Sequence, residues 1–273
     1  MDLRSRCHPG QSLSVAALPF TVLPCWSGRV QVASDAAVLA ERVATSLAQA
    51  LEADPGRILG LATGRTMEPI YAALVRKLGA WPAQQQADLR RRWRSFNLDE
   101  YVGLAAGDPR SFAATMRQQL GDPLGLGQAQ LRLPDGRAED PGQEASHYGQ
   151  AIADAGGLSL QLLGLGLNGH VGFNEPPCLA SAACRCLELS ASTREQNSAD
   201  FGGDPMAGPS LAITLGLAEI LQAQRIVLVV SGGGKARILR RLLQDPPDPA
   251  LPASWLQGHP GAELWVDAAA LGA

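Results

Sequence analysis

Residues 158–170 read LSLQLLGLGLNGH, an apolar strand pattern that runs directly into a glycine-rich turn. Leu158 to Leu165 is the most apolar strand candidate of the chain, and a strand that is apolar on both faces is typical of a parallel sheet covered by helices. In such sheets, ligands bind beyond the carboxyl ends of the strands. The stretch therefore predicts an α/β fold in which the turn that carries Asn168 and His170 lies at the ligand site.

Strand and helix patterns alternate on both sides of this stretch. Further strands are predicted at 58–62, 93–98, 225–230 and 263–266, and helices at 35–53, 68–78, 111–120, 139–155 and 235–243. This alternation predicts a doubly wound, mostly parallel sheet with helices on both faces, which is a Rossmann-like arrangement.

Composition narrows the function classes. The chain has 273 residues, of which 46% are hydrophobic and 18% charged, and its net charge is −3. These values exclude a disordered or collagen-like chain, and they argue against a nucleic-acid partner, which favours strongly basic domains. No apolar run approaches about 20 residues, so no membrane partner is expected. Five cysteines without a C-x-x-C pair are typical of a reduced, cytoplasmic protein and predict no metal site.

Residues 1–28 do not continue the alternating pattern. Basic residues before an apolar stretch faintly resemble a signal peptide, but Asp2, Pro19 and Pro24 interrupt that pattern. We expect a poorly ordered N-terminal extension over residues 1–28, or a start codon placed too early. One domain is expected at 29–273.

Polar or glycine-rich residues follow each of the central strands. Thr63-Gly64-Arg65-Thr66 follows the strand at 58–62, and a Ser-Gly-Gly-Gly-Lys run ending at Lys235 follows the strand at 225–230. Backbone N–H groups of a glycine turn that opens a helix bind a single phosphate. Lys235 is one of only two lysines beside 21 arginines, which indicates a position that needs a compact ammonium. An exposed lysine at a helix start is the plainer alternative.

Two nucleotide-binding motifs are matched only in part. The spacing Gly-x-Gly-x-x-Gly at 164–169 lacks the helix that a dinucleotide fingerprint opens, because Pro176 and Pro177 follow closely. The run ending at Lys235 lacks the first glycine and the final Ser or Thr of a triphosphate-binding loop. We therefore predict neither a nicotinamide cofactor nor nucleotide triphosphate hydrolysis, and no cofactor at all.

The acid–base candidates follow two of the strands. Asp99 comes directly after the strand at 93–98, where a carboxylate is well placed to act as a general base. His170 can move a proton near neutral pH, and Glu175 and Asn168 are close enough in sequence to orient its two sides. The alternatives are a solvated carboxylate pair of Asp99 and Glu100, and a core histidine satisfied by the backbone.

These residues, in this order, resemble the glucosamine-6-phosphate deaminase (isomerase) family, within the superfamily that includes 6-phosphogluconolactonases. The resemblance extends from residue 29 to the C-terminus. It rests on the motifs GLATGRT (60–66), FNLDEYVGL (96–104), LGLGLNGHVGFNEP (163–176), STRxxNS (192–198), GGGKA (232–236) and PASWLQGHP (252–260). Lactonases resemble the chain in the G-H turn but lack the continuation F-N-E-P.

The resemblance implies a metal-free conversion of glucosamine-6-phosphate to fructose-6-phosphate and ammonia, in the breakdown of N-acetylglucosamine. It implies that His170 opens the pyranose ring and that Asp99 moves a proton from C2 to C1. Glu175 would keep the imidazole in position, with Asn168 on its other side. The phosphate site that it implies consists of Thr63, Gly64, Arg65, Thr66, Arg194 and Lys235.

Three positions depart from the family pattern. Asn168 stands where many members have Asp, and a neutral side chain stabilises an imidazolium less than a carboxylate does. Ala199 replaces an arginine that contacts the phosphate, and we expect Arg65 to supply a guanidinium instead. Met67 replaces the usual proline. These departures keep two alternatives open, a 6-phosphogluconolactonase and a non-catalytic sugar-phosphate-binding homologue.

The resemblance also bears on motion and assembly. It implies a mobile lid around residues 176–208. The oligomeric state stays undecided between monomer and homo-oligomer. A monomer or dimer without allosteric activation is favoured, because the charged residues expected near Cys178 and Leu187 are missing.

Overall fold

The computed structural model describes residues 20–272 of the chain. The strands are β1 (Val30–Ala33), β2 (Ile58–Leu61), β3 (Arg94–Asn97), β4 (Asp99–Tyr101), β5 (Leu131–Arg132), β6 (Leu160–Gly164), β7 (Arg185–Glu188), β8 (Leu211–Thr214), β9 (Ile226–Val230) and β10 (Ala262–Asp267). The α-helices are α1 (Ala36–Ala53), α2 (Glu68–Gly79), α3 (Ala83–Arg92), α4 (Phe112–Met116), α5 (Asp122–Leu124), α6 (Pro141–Asp154), α7 (Ala191–Asn197), α8 (Leu217–Ile220) and α9 (Ala236–Gln244). None of the helices within residues 20–272 has the length and apolar character that a membrane crossing requires.

Seven strands form one parallel sheet in the order β1-β10-β9-β6-β2-β3-β5. All five residues of β9 are buried, so both faces of the sheet are covered there. From β2 the chain moves outward through β3 to β5, and it then returns to β6 on the other side of β2. The strand order therefore reverses between β2 and β6, where an open parallel sheet binds its ligand. The predicted mostly parallel α/β fold is confirmed.

A second, antiparallel sheet has the strand order β4-β8-β7. The sequence does not predict this sheet, because the three residues of β4 are too few to show a period of two. Leu98 alone separates β3 from β4, and Asp99 pairs with Thr214 of β8. Asp99 thus begins a strand of the second sheet rather than a solvated loop.

The last residues of the predicted N-terminal extension pack on the domain. Residues 1–19 lie outside the described part of the chain. Trp26 is fully buried, with 0% of its surface exposed, and its Nε1 donates a hydrogen bond to the Leu242 carbonyl of α9 at 3.1 Å. The Leu23 N–H donates to the Leu243 carbonyl at 2.8 Å. The buried indole therefore holds residues 23–28 against the domain, whereas the prediction for residues 1–19 falls outside the described residues.

Candidate active site

The turn after β6 fixes the imidazole of His170. Asn168 Oδ1 accepts a hydrogen bond from the His170 backbone N–H at 3.2 Å and lies 2.7 Å from His170 Nδ1. An amide oxygen only accepts hydrogen bonds, so the Nδ1 of the neutral ring carries the proton. Nε2 then presents its lone pair, which is the form that a general base requires.

Two glycines of this turn lie so close to other side chains that a Cβ would not fit at either position. A Cβ on Gly166 would lie 2.3 Å from His170 Cε1 and Nε2, so the ring packs on bare backbone. A Cβ on Gly169, whose φ is +89°, would lie 2.2 Å from Leu251 Cδ1. The Ala253 N–H donates to the Gly169 carbonyl at 2.9 Å. Ala253 of the PASWLQGHP motif therefore stabilises the turn that carries His170.

Asp99 is a buried carboxyl with no described group donating a hydrogen bond to it. Only 6% of its surface is exposed, and its side chain forms no hydrogen bond within residues 20–272. Burial, and secondarily the charge of Glu100, raises the pKa of Asp99 to about 8. A buried carboxyl with a strongly raised pKa is a candidate general base.

The carboxylate of Glu100, unlike that of Asp99, accepts several backbone hydrogen bonds. Its carboxylate accepts hydrogen bonds from the backbone N–H groups of Phe112 at 3.0 Å, Ala113 at 2.7 Å and Tyr101 at 2.8 Å. Two of these N–H groups belong to the first turn of α4, which has no intrahelical partners for them. Adjacent side chains of a strand point to opposite faces. Of the two carboxyl groups, Glu100 therefore anchors a helix, whereas Asp99 stays a candidate general base.

The segments that carry Asp99 and His170 meet at β8. Thr214, which pairs with Asp99, accepts a hydrogen bond from the Phe173 N–H at 3.3 Å. A Cβ on Gly172 would lie 3.0 Å from both the Leu98 Cγ and the Thr214 Oγ1. Two segments that are far apart in the sequence are therefore in contact. This agrees with the expectation that residues following the carboxyl ends of parallel strands meet at one edge of the sheet.

Glu175 is held by a residue that the sequence analysis did not single out. The Thr193 hydroxyl of α7 donates a hydrogen bond to Glu175 Oε1. Within residues 20–272, Glu175 and His170 share no hydrogen bond, so the predicted orienting contact is not made in this conformation. Burial lowers the pKa of His170, the charge of Glu175 opposes that effect, and the charge of Lys235 adds to it. The ring is therefore neutral at pH 7.

The two glycine-rich loops face each other across a small cavity. Gly64 has a φ of +129° and its carbonyl accepts from the Met67 N–H at 2.8 Å, one residue before α2 begins. Arg65 and Thr66 from this loop line a cavity of about 260 Å³ together with Ser231 from the other loop. Thr63 Oγ1 accepts a hydrogen bond from Asn97 Nδ2 at 2.9 Å, which anchors the start of the loop.

Lys235 ends a 3₁₀ turn (Gly233–Lys235) that leads into α9. Burial lowers its pKa, and no acidic side chain of residues 20–272 forms an ion pair with it. Arg194 lies in α7, and its Nε is buried without a hydrogen-bond partner among the described groups. Ala199 is exposed in the following 3₁₀ turn. Partly buried cationic side chains without an ion pair are suited to an anionic ligand.

Asp267 is a site-supporting residue that the sequence analysis missed. It is 1% exposed, and its carboxylate accepts from the Gly232 N–H at 3.0 Å, the Ala270 N–H at 2.7 Å and the Ser231 hydroxyl. It therefore holds the loop that carries Lys235. The signal was present, because Asp267 is a polar residue at the carboxyl end of β10. The described residues contain no group of three or more His, Cys, Asp or Glu side chains that could hold a metal ion.

Comparison with known proteins identifies relatives over most of the chain. Residues 32–265 match the family of glucosamine-6-phosphate isomerases and 6-phosphogluconolactonases. A glucosamine-6-phosphate deaminase of Streptomyces avermitilis is 42% identical over 243 residues, which are 88% of this chain and 90% of the relative. One of Rhodopirellula baltica is 39% identical over 242 residues, which are 88% of this chain and 94% of the relative.

Solved structures share the fold. A monomeric glucosamine-6-phosphate deaminase superposes with a TM-score of 0.82 at 32% identity, over 89% of this chain and 99% of that one. A 6-phosphogluconolactonase from Trypanosoma cruzi superposes with a TM-score of 0.70 at 18% identity, over 93% of this chain and 97% of that one. The second likeness shows the fold alone.

Proposed function

The chain belongs to the glucosamine-6-phosphate isomerase/6-phosphogluconolactonase family, and we propose that it converts glucosamine-6-phosphate to fructose-6-phosphate and ammonia. The relatives that carry the deaminase name match nearly nine-tenths of this chain. The observation that carries the proposal is the pair of groups at the edge of the sheets. Asp99 is a buried carboxyl whose pKa is raised to about 8, and His170 is held by Asn168 so that its Nε2 lone pair is free.

His170 opens the sugar ring in the proposed reaction. Its Nε2 takes the proton of the C1 hydroxyl and returns a proton to the ring oxygen, which leaves an open-chain aldehyde. The lowered pKa of His170 keeps the imidazole neutral before this step. The hydrogen bond from Nδ1–H to Asn168 keeps the ring in one orientation while the proton moves.

Asp99 carries the isomerisation step. Its carboxylate takes the proton from C2, and the electron pair of that bond forms the C1–C2 double bond. The π pair of the C1 carbonyl moves to O1, which takes a proton from the ammonium group of the substrate and so completes an enolamine. The same carboxyl returns a proton to C1, which leaves an imine at C2. Water adds to the imine and ammonia leaves, so the net change is hydrolytic deamination to a ketose. Burial without hydrogen-bond donors makes the carboxylate a stronger base than an exposed Asp.

The phosphate is bound by the two facing loops. We assign it to the backbone of Gly64 and the hydroxyls of Thr63 and Thr66, because N–H groups before a helix and hydroxyls suit an anion. Lys235, which has no ion pair among residues 20–272, supplies a positive charge. Arg65 lines the cavity between the loops and Arg194 has a buried unpaired Nε, so we include both guanidinium groups in this site.

Ammonia and fructose-6-phosphate release from glucosamine-6-phosphate tests the proposal. Equimolar release of both products by the purified protein is the expected result. Hydrolysis of 6-phosphogluconolactone without ammonia release would favour the lactonase alternative. Binding of sugar phosphates without either turnover would identify a non-catalytic homologue. We further propose that the protein is cytoplasmic, that it acts in the breakdown of N-acetylglucosamine, and that residues 176–208 form a mobile lid.

The Asn168→Asp variant is expected to raise the pKa of His170. A carboxylate beside Nδ1 stabilises the imidazolium, whereas the native amide does not. At pH 6.5 the variant ring is then charged in more molecules, and a charged ring has no lone pair on Nε2. Its kcat/KM therefore falls further below the native value at pH 6.5 than at pH 8.5. The pKa is measured by NMR titration of the imidazole, assigned with His170→Gln, and an unchanged pKa would contradict the assigned contact.

A further inference from the structure

Helix α7 makes two hydrogen bonds from one of its faces. Thr193 and Asn197 are four residues apart and therefore lie on the same side of the helix. The Thr193 hydroxyl donates to Glu175 Oε1, and Asn197 Nδ2 donates to the Tyr101 hydroxyl at 2.9 Å. Thr193 is buried, so its hydrogen bond is shielded from water.

The two acceptors belong to the two segments that carry the acid–base groups. Glu175 follows His170 in the turn after β6, and Tyr101 ends the strand that Asp99 begins. Tyr101 also packs on three aromatic rings from three other segments. Its ring centroid lies 4.7 Å from that of Phe112, 5.7 Å from that of Phe173 and 5.8 Å from that of Phe201. A shift of α7 would therefore move both Glu175, in the segment of His170, and Tyr101, in the strand of Asp99.

Arg194 lies between these two contacts on the same short helix. Its Nε is buried and has no hydrogen-bond partner among the described groups. A buried donor without a partner costs free energy, and a bound anion would remove that cost. The helix that touches both catalytic segments thus also carries an unsatisfied cationic donor.

We propose that Thr193 and Asn197 are positioning residues, which fix α7 so that Arg194 meets the substrate phosphate while Glu175 and Tyr101 are held in place. The proposal rests on the proposed function for the identity of the anion as a sugar phosphate. It extends that function by assigning to α7 a coupling between phosphate binding and the acid–base groups. Neither residue touches the reacting atoms, so each acts through the group that it holds.

Binding of fructose-6-phosphate by calorimetry, beside steady-state kinetics, tests this coupling. Thr193→Val removes the hydroxyl at nearly constant volume, and Asn197→Ala removes the donor to Tyr101. Each is expected to weaken fructose-6-phosphate binding about tenfold, the scale expected for a lost hydrogen bond to a charged or buried group. Thr193→Ser keeps the hydroxyl and is expected to stay near the native affinity. Ser198→Ala is the matched control, because within residues 20–272 the Ser198 hydroxyl donates only to the Glu195 carbonyl of its own segment.

Combination with Arg194→Ala separates positioning from a merely structural role. If Thr193 and Asn197 act through Arg194, Thr193→Val adds little further loss of affinity once Arg194 is removed, so the two effects are non-additive. Fully additive effects would overturn the coupling. Native affinity in both Thr193→Val and Asn197→Ala would overturn it as well.

The folded state and the proposed function are checked separately. Thermal unfolding is recorded for every variant, and if Thr193→Val does not fold, Asn197→Ala and Tyr101→Phe decide the question by the same binding measurement. A wild-type protein that binds fructose-6-phosphate but releases no ammonia would overturn the proposed function alone. A wild-type protein that does not bind fructose-6-phosphate would overturn both.

Discussion

Replacement of Asp99 by Asn is expected to lower the kcat for ammonia release by about 10³-fold or more, within the range that a lost general base produces. The amide has the shape of the carboxylic acid but cannot accept the C2 proton. Fructose-6-phosphate binding is expected to persist, because the phosphate loops follow other strands. Glu52→Gln, an exposed substitution on α1, is the control and is expected to leave kcat unchanged. More than about a tenth of the native kcat in Asp99→Asn would contradict the role of Asp99 as the base.

The same variant has a second expected signature in thermal stability. Burial raises the pKa of Asp99 from 3.8 to about 8, so the folded state disfavours the ionised carboxyl. The stabilising contribution of the protonated form is fully present below pH 3.8 and is lost as the pH rises through about 8. Asn cannot ionise. The Tm of Asp99→Asn is therefore expected to exceed the native Tm by more at pH 9 than at pH 5, and equal Tm differences at both pH values would show that Asp99 is not the buried titrating group.

Much of the site follows from one rule applied to the sequence. Polar residues at the carboxyl ends of parallel strands meet at one edge, and that rule alone indicated Asp99, His170 and Lys235. The apolar pattern of β6 and β9 gave the buried centre of the sheet, since strands covered on both faces have no polar alternation. Applied to the end of β10, the same rule also selects Asp267.

Sequence patterns do not predict which side chains of distant segments form hydrogen bonds with each other. Glu175 is five residues from His170, yet its hydrogen bond comes from Thr193 of α7. Glu100 accepts hydrogen bonds that Asp99 does not, because the fold brings the N–H groups of Phe112 and Ala113 to the Glu100 carboxylate. A pattern specifies which face a residue occupies, whereas a hydrogen-bond partner depends on how separate elements pack.

Two glycines of the 164–169 run are expected to differ in how much activity they lose on the same substitution to alanine. Gly166→Ala places a Cβ 2.3 Å from His170 Cε1 and Nε2, a distance that real Cβ atoms do not reach. The imidazole must move, and Asn168 no longer sets its direction. A reactive group displaced by about 1 Å costs about 10²-fold in rate, so kcat/KM is expected to fall by that factor. Gly166 does not have a positive φ, so the loss comes from the ring contact and not from backbone strain.

Gly164→Ala, at the end of β6 and two residues before Gly166, is the matched control. Its Cβ would lie 3.5 Å from Met67 Cε, an ordinary van der Waals contact with a flexible side chain. Its kcat/KM is therefore expected to stay within a few-fold of the native value, while fructose-6-phosphate affinity and Tm change little in both variants. Equal losses of activity in the two variants would show that the turn is sensitive to any added methyl group. Loss in Gly166→Ala alone would place the imidazole of His170 in the reaction, because the three atoms nearest to that Cβ all belong to this ring.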